Sequence, residues 1–514
     1  MKALRISLNW SWIVPLLLLA AALSGSLLGS RGFDLDEAAT LLRSGGHTPN
    51  PYNLAEIQEA ILDKSPDQAM GWSLLVAAWG RVAGWSEVAL RSLSWFAGLL
   101  ALALTWRAGR DMLGADAGLV AAALLATSVL FVTYMAIART YTLVVLFSVM
   151  ALFGYWRAAL REGQVGRAGP TLLLAGAAGL LYTHYFGALL LPSLGLFHLL
   201  MVRRNRRWLR TLAVFLLAGL AFLPQLDFLL AGIAYNRDAL GSRQALAPHV
   251  ALSRIVEVYS NGLFHLLPKV AGALFGLALL LLLIEALRRR RRQRPPDAAW
   301  LLVTVTLVLL ALILAANEIS GVLWPGRIRY TLGLWPLLAL LTGMCLLRNA
   351  SPRPPRTSLR FLLLALLLVT GLVGNVRSSL RIRYVNPYAA APLHFAMRDL
   401  EPLWQDGDRL VIDQTGTTHQ RQIWIYTYAL ADSRLILEPE TEAPGNPACL
   451  AAILQDLQPH ASVWLLFSNP QGDLQTRLQQ ALLASGMSLC RSIDYQQQQT
   501  LVLTHLARSE ADCA

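Results

Sequence analysis

ALFGLALLLLLIEALRRRRR, residues 273–292, joins fifteen almost entirely apolar residues directly to five arginines. A helix that is hydrophobic all round has no face to offer water, so it lies in a large core or in a membrane. About 20 apolar residues cross the ~30 Å hydrocarbon layer as helix, and backbone groups in lipid must be satisfied within the segment. The arginines that end the run mark the cytoplasmic side, where Lys and Arg collect.

Comparable apolar runs fall at 12–28, 91–107, 117–134, 141–157, 171–187, 189–202, 211–230, 264–287, 299–316, 330–347 and 361–376. Of the 514 residues 55% are hydrophobic and 15% charged, whereas soluble chains carry about a quarter charged. Basic tracts separate alternate runs: Arg107 with Arg110; Arg157, Arg161 and Arg167; Arg203-Arg204-Asn205-Arg206-Arg207; 288–292 with Arg294; and 348–360. Placing them all in the cytoplasm gives an N-in topology with about eleven spans. The net charge of +13 therefore reflects membrane orientation, and no nucleic-acid partner is expected. Lys2 and Arg5 precede the first run, which reads as a retained helix because further spans follow it. Segment 70–89 reads as an interfacial helix carrying Trp72, Trp79 and Trp85. A crossing there would invert every later basic loop.

From about residue 386 the composition becomes that of a soluble α/β domain. Strands are expected at 409–412, 434–437, 462–467 and 500–504, with helices at 393–404 and 471–484. The expected architecture is thus a polytopic α-helical membrane module over 1–385, with an outer first loop at 30–90. A small C-terminal α/β domain over 386–514 lies outside the cytoplasm. Cys449 and Cys490 either pair there or remain two separate buried thiols.

The same charge parity brings four polar features to the outer side: Asp34-Leu35-Asp36-Glu37, Arg139-Thr140-Tyr141, His184-Tyr185 and the segment 317–330. Three carboxylates within four residues repel one another, which suits proton transfer or cation binding, while Asp34 also fits a helix N-cap. Arg139 stands between apolar runs without basic neighbours. It reads as a snorkelling cation, a phosphate clamp or a partner for the acids. Arg327-Ile328-Arg329-Tyr330 places two guanidinium groups against the positive-inside trend, which suggests an anionic partner such as a lipid phosphate.

The order of these features resembles the GT-C superfamily of membrane glycosyltransferases, in the family 39-like branch of protein O-mannosyltransferases and aminoarabinose transferases. The resemblance covers about 30–350. It rests on Asp36-Glu37 after the first run, Ser86-Glu87-Val88-Ala89-Leu90-Arg91, Tyr134 through Arg139-Thr140-Tyr141, His184-Tyr185-Phe186, and Arg329-Tyr330. It implies a GT-C-like fold and transfer of a sugar from a polyprenyl-phosphate donor to a glycan, lipid or protein acceptor, among membrane lipids of the inner (plasma) membrane. The alternative class is a non-catalytic lipid or glycan transporter or envelope assembly factor. On the resemblance Asp36 and Glu37 are the catalytic pair, with Asp36 as general base. Asp34, Arg139, Tyr141, His184, Tyr185, Arg327, Arg329 and Tyr330 bind substrate. Relatives carry a second acid where this chain has Ile137, and a His-Pro-Pro where it has Ser65-Pro66-Asp67. The cofactor stays open, a divalent cation included.

Overall fold

The computed structural model describes residues 12–29, 33–46, 52–64, 66, 68–161, 166–240, 246–263, 268–291, 297–321, 323, 325–347, 354–377, 396, 399–405, 407–412, 451, 454, 455, 457, 460–468, 473–496 and 500–513. Two compact units divide the chain: Met1–Leu28 with Tyr52–Pro387, and Gly29–Pro51 with Tyr388–Ala514.

The first unit is helical. It begins with α1 (Ile13–Gly25); α2 (Leu35–Arg43) belongs to the second unit. Then follow α3 (Leu54–Lys64), α4 (Met70–Ala83), α5 (Glu87–Leu113), α6 (Ala115–Thr127), α7 (Val129–Met135), α8 (Tyr141–Tyr155), α9 (Ala168–Thr183), α10 (Tyr185–Ala188), α11 (Leu190–Met201) and α12 (Arg206–Phe222). The remainder are α13 (Leu226–Leu240), α14 (Pro248–Tyr259), α15 (Pro268–Arg291), α16 (Ala298–Ser320), α17 (Trp335–Leu347) and α18 (Pro354–Val376). A π-helical turn, Trp156–Leu160, ends α8, and a 3-10 helix, Pro325–Leu334, leads into α17.

The eleven apolar runs all carry helix, and among the described residues these helices sort by length and composition into two groups. Five helices are long and apolar enough to cross a membrane: Glu87–Leu113, Tyr141–Leu160, Arg206–Tyr235, Ala298–Ile319 and Arg327–Leu347. They become six if the bent pair α6 and α7 is one span, and five further apolar helices are shorter. The run 171–187 stops as helix at Thr183, where His184 turns extended (φ −163°, ψ 116°). Helix α4 has fourteen residues, about 21 Å of helix and so too short to cross ~30 Å.

Small residues set the closest packing in the first unit. Helices α8 and α9 pack as an antiparallel hairpin in which a Cβ on Gly176 would collide with the backbone nitrogen of Ala151. Without a strong hydrophobic force between helices in lipid, such backbone approach is what holds them together.

The 67° bend between α6 and α7 exposes backbone groups at Ser128, and three side chains from elsewhere engage it. Asn375 Nδ2 donates to the Thr127 carbonyl (3.0 Å), and Asn261 Oδ1 accepts from Val129 N (2.9 Å). Trp335 Nε1 donates to Ser128 Oγ (3.1 Å), which also receives Phe131 N. Gly371, one turn before Asn375, comes so close to the Thr127 carbonyl that a Cβ would not fit. A helix can break in an apolar interior only if its freed groups find such partners. This break aims α7 at the loop that carries Arg139.

The second unit holds a four-stranded sheet of β1 (Arg409–Ile412), β2 (Ser462–Ser468), β3 (Ser488–Gln496) and β4 (Thr500–Ala507), in the order β1-β2-β4-β3. β1 and β2 are parallel and the other pairs antiparallel. Val463, Leu465 and Phe467 alternate onto one face and pack against Leu478 and Leu482 of α19 (Asp473–Ala484). On the other face the Trp464 and His505 rings, a cross-strand pair, stack at 3.8 Å, and Ser462 Oγ meets His505 Nε2 at 2.8 Å. Buried Asp408 accepts from Trp464 Nε1 (2.9 Å).

Strands at 409–412, 462–467 and 500–504 and the helix at 471–484 fall on β1, β2, β4 and α19; residues 434–437 lie outside the described residues. β3 was not expected. It is an edge strand whose apolar side chains are not cleanly alternated, with Leu489 47% exposed. The cysteine expectation is corrected as well. Cys490 of β3 is disulfide-bonded to Cys513 in the 3-10 helix Glu510–Cys513, while Cys449 lies outside the described residues.

Gly176→Val should cost about 1–3 kcal/mol through overpacking. A lowered thermal midpoint in detergent is the expected result, and an unchanged midpoint would show the α8–α9 contact to be loose. Burial lowers the pKa of His505 below its ordinary 6.5, so the folded state binds its proton less readily than the unfolded chain. Its contribution is then complete above about pH 6.5 and is lost as the pH falls toward the depressed value. His505→Phe, which keeps a ring over Trp464, should flatten the acid side of the stability profile; an identical profile would rule His505 out.

Candidate functional site

Three interruptions of helix meet in the first unit: the loop between α7 and α8, the His184 break, and the 3-10 helix before α17. Hydrogen bonds tie the first two to their surroundings. Ser94 Oγ of α5 donates to the Arg139 carbonyl (3.0 Å), and Thr140 Oγ1 donates to the Thr183 carbonyl (3.2 Å) beside His184. Within the loop Arg139 N donates to the Ile137 carbonyl (2.7 Å), a turn tight enough to present the arginine.

The 3-10 helix supplies the other cations. Ten residues is long for this helix type, which rarely exceeds one turn and often marks a strained or functional segment. Its three-residue repeat eclipses side chains at i and i+3, and Arg327 accordingly lies over the Tyr330 ring, 5.5 Å from its centroid. Arg329, 7% exposed, donates from Nε to the Tyr141 hydroxyl (2.9 Å) and lies 5.7 Å and 6.0 Å from the Tyr141 and Tyr330 ring centroids.

Around these cations stands an aromatic wall. Tyr141, fully buried at the start of α8, meets Tyr134 edge-on at 4.7 Å and lies 6.1 Å from Tyr330. His184 meets Tyr330 at 4.8 Å and Tyr141 at 5.6 Å, and Phe186 reaches Tyr330 at 5.9 Å. His184 also caps α10, its Nδ1 accepting from Gly187 N (3.4 Å). The charges of Arg139, Arg329 and Arg327 all act on this imidazole. Tyr185, the next residue, packs its ring edge-on against Phe222 at 6.4 Å.

The first unit thus gathers Arg139, Tyr141, His184, Arg327, Arg329 and Tyr330. Three guanidinium groups stand among aromatic rings, and Arg offers fork-shaped donors whose geometry matches phosphate or carboxylate.

The acidic residues begin α2 in the second unit. Asp34 Oδ1 accepts from Glu37 N (2.8 Å) and Glu37 Oε2 accepts from Asp34 N (3.0 Å), a reciprocal capping box. Both side chains are buried. Asp36 sits in the first turn, half-buried, and takes no part in the box. Asp67 lies outside the described residues, and among those described no three His, Cys, Asp or Glu side chains cluster as metal ligands.

Arg91 was absent from the expected site. Its side chain is fully buried on α5, and Nη1 donates to the Leu28 carbonyl (2.7 Å) just before the acidic segment begins. The signal was present, since an arginine one turn into an apolar helix is costly unless it is used.

Residues 67–229 match the family model described as dolichyl-phosphate-mannose-protein mannosyltransferase. The match takes in Arg139, Tyr141 and His184 and ends before the 3-10 helix. No curated protein matches the chain. Among solved structures, the ArnT of Cupriavidus metallidurans bound to undecaprenyl phosphate superposes with a TM-score of 0.59 at 13% identity, over 98% of this chain and 99% of that one. The same protein in its apo state gives 0.58 at 13% identity, over 96% and 98%. At that identity the likeness is one of fold.

Tyr141→Phe removes the acceptor of a buried, charged donor, a loss of about 1–3 kcal/mol. The thermal midpoint in detergent should fall, and an unchanged midpoint would mean that Arg329 does not depend on that hydroxyl.

Proposed function

We propose that this chain, which has the GT-C fold in its ArnT-like form, transfers a sugar from a polyprenyl-phosphate carrier to a glycan, lipid or protein acceptor on the outer face of the inner (plasma) membrane. The observation that carries the reading is the meeting of Arg139, Arg327 and Arg329 beside Tyr141, His184 and Tyr330. A polyprenyl phosphate leaves with negative charge on its phosphate oxygens, and preorganised cations placed where that charge develops lower the barrier. The match to a mannosyltransferase model over 67–229 agrees with such a donor.

In this reading the acceptor hydroxyl loses its proton to a carboxylate and attacks the anomeric carbon. The sugar–phosphate C–O bond breaks, its electron pair stays on the phosphate, and the guanidinium groups hold the departing dianion. A single displacement inverts the anomeric configuration. The family resemblance assigns Asp36 as the general base, while Asp34 and Glu37 cap one another. The aromatic wall offers flat faces for sugar C–H groups. Whether a hexose or a pentose is moved depends on the donor lodged against that wall.

The transferase module spans 1–385, and the domain over 386–514 lies outside the cytoplasm. The Cys490–Cys513 disulfide supports that side, since disulfides persist where thiols are not kept reduced. A membrane-impermeant reductant added to intact cells lacking an outer permeability barrier should expose both thiols to a maleimide. Labelling only after permeabilisation would put the domain on the wrong side.

Transfer from a polyprenyl-phosphate sugar to isolated envelope acceptors tests the chemistry. Asp36→Asn should lower the rate about 10²–10⁴-fold with the fold intact. Arg329→Gln should lower it about 10²–10³-fold, with Arg329→Lys recovering part. Full activity in both Asp36→Asn and Arg329→Gln would sink the assignment.

A further inference from the structure

The other end of the α8–α9 hairpin carries a second cationic centre, far along the chain from the arginines already described. Helices α8 and α9 run antiparallel, so the π-helical turn and the loop to Arg167 lie at the end opposite Tyr141 and Thr183. Residues 157–167 contain three arginines and 203–210, RRNRRWLR, contain five; the one acid in the two stretches, Glu162, lies outside the described residues. The structure joins the stretches: Arg207 Nη1 donates to the Arg161 carbonyl (2.9 Å).

Aromatic rings hold the cations at this end. Arg157 lies over Phe153 (5.4 Å) and Arg161 over Trp156 (5.8 Å), and those two rings stack at 5.9 Å. Trp208 stacks on His198 at 5.2 Å, and its indole Nε1 donates to the His198 carbonyl (3.1 Å). Neither Arg157 nor Arg161 forms a salt bridge among the described residues. The basic residues at the end of α5 are arranged differently, for Asp111 pairs with both Arg107 (3.1 Å) and Arg110 (3.3 Å). Among the described residues, then, an acid partly offsets the tract at the end of α5, while Arg157 and Arg161 rest on rings.

Directly beside the second tract the surface turns apolar. Leu199 and Leu200 in the last turn of α11 and Leu209 in the first turn of α12 are 51%, 61% and 60% exposed. Cations, indole rings and exposed leucines are the three groups that meet a bilayer's headgroups, interface and acyl chains.

The geometry points to a docking surface for anionic phospholipid headgroups, built by the π-helical turn at 156–160, Arg161 and the start of α12. Arg157 and Arg161 receive the headgroup phosphate, and Leu199, Leu200 and Leu209 line its acyl chains. The surface is separate from the donor cluster and takes a structural lipid, not a substrate.

The test uses the full chain in neutral detergent, offered phosphatidylglycerol or phosphatidylcholine in mixed micelles, with retained lipid counted by native mass spectrometry. Phosphatidylglycerol should be retained in preference, and salt should weaken that preference. At about one kcal/mol per arginine near a charged surface, Arg157→Gln with Arg161→Gln should cut it about 30-fold. Arg107→Gln with Arg110→Gln should leave it unchanged. Arg157→Lys with Arg161→Lys should keep most of it, which separates loss of charge from loss of fold. Equal retention of the two lipids by the unmodified chain would overturn the proposal, as would an unaltered preference in the glutamine variant. Displacement of the lipid by soluble glycerol phosphate would overturn it too, by making this a site for free phosphate.

Discussion

A helix that breaks inside an apolar surround leaves backbone N–H and C=O groups that water cannot reach, and each must find a partner. That constraint shapes the first unit. At Ser128 the freed groups are met by Asn261, Asn375 and Trp335, drawn from segments more than a hundred residues away. At His184 the imidazole caps the next helix, while the Thr183 carbonyl takes a bond from Thr140. Breaks secured in this way are rigid, and they release the chain from the helical repeat at the points where polar side chains are needed.

The cationic cluster follows from those breaks. An unbroken α8 would bury Tyr141 in a helix interior with no loop beside it to carry Arg139. A regular α-helix through 325–334 would not eclipse Arg327 with Tyr330, because that overlap belongs to a three-residue repeat. Buried guanidinium groups are expensive, and here ring faces and the Tyr141 hydroxyl offset part of the cost. In the proposed reaction such a cluster would meet the phosphate of the donor.

Charge is spent differently at the two ends of the α8–α9 hairpin. At one end Arg327 and Arg329 lie against the Tyr330 and Tyr141 rings between helix breaks. At the other they ride on Phe153 and Trp156 beside exposed leucines. The acids are similarly divided by role: Asp34 and Glu37 start α2 by capping each other, and Asp36 is left to the side. Adjacent carboxylates with one composition thus have distinct physical tasks.

Much of this was legible in the chain itself. Apolar runs and their basic punctuation decide that the first unit is a bundle of helices, because lipid allows no other use of such segments. The β-rich run at 462–467 is enough for β2, since a short apolar run bounded by polar residues suits a strand buried on both faces. Arg139, His184 and Arg329 stood out as polar residues where hydrocarbon was expected. Tertiary structure alone decided the rest. The breaks at Ser128 and His184 are invisible to hydropathy, which averages them away. Edge strand β3 has too little apolar alternation to be seen, and Cys490 bonds Cys513 because the sheet and the terminal turn bring those residues together. Composition names the groups a chain can use; only the fold fixes which of them share a distance short enough for charge and hydrogen bonding to act.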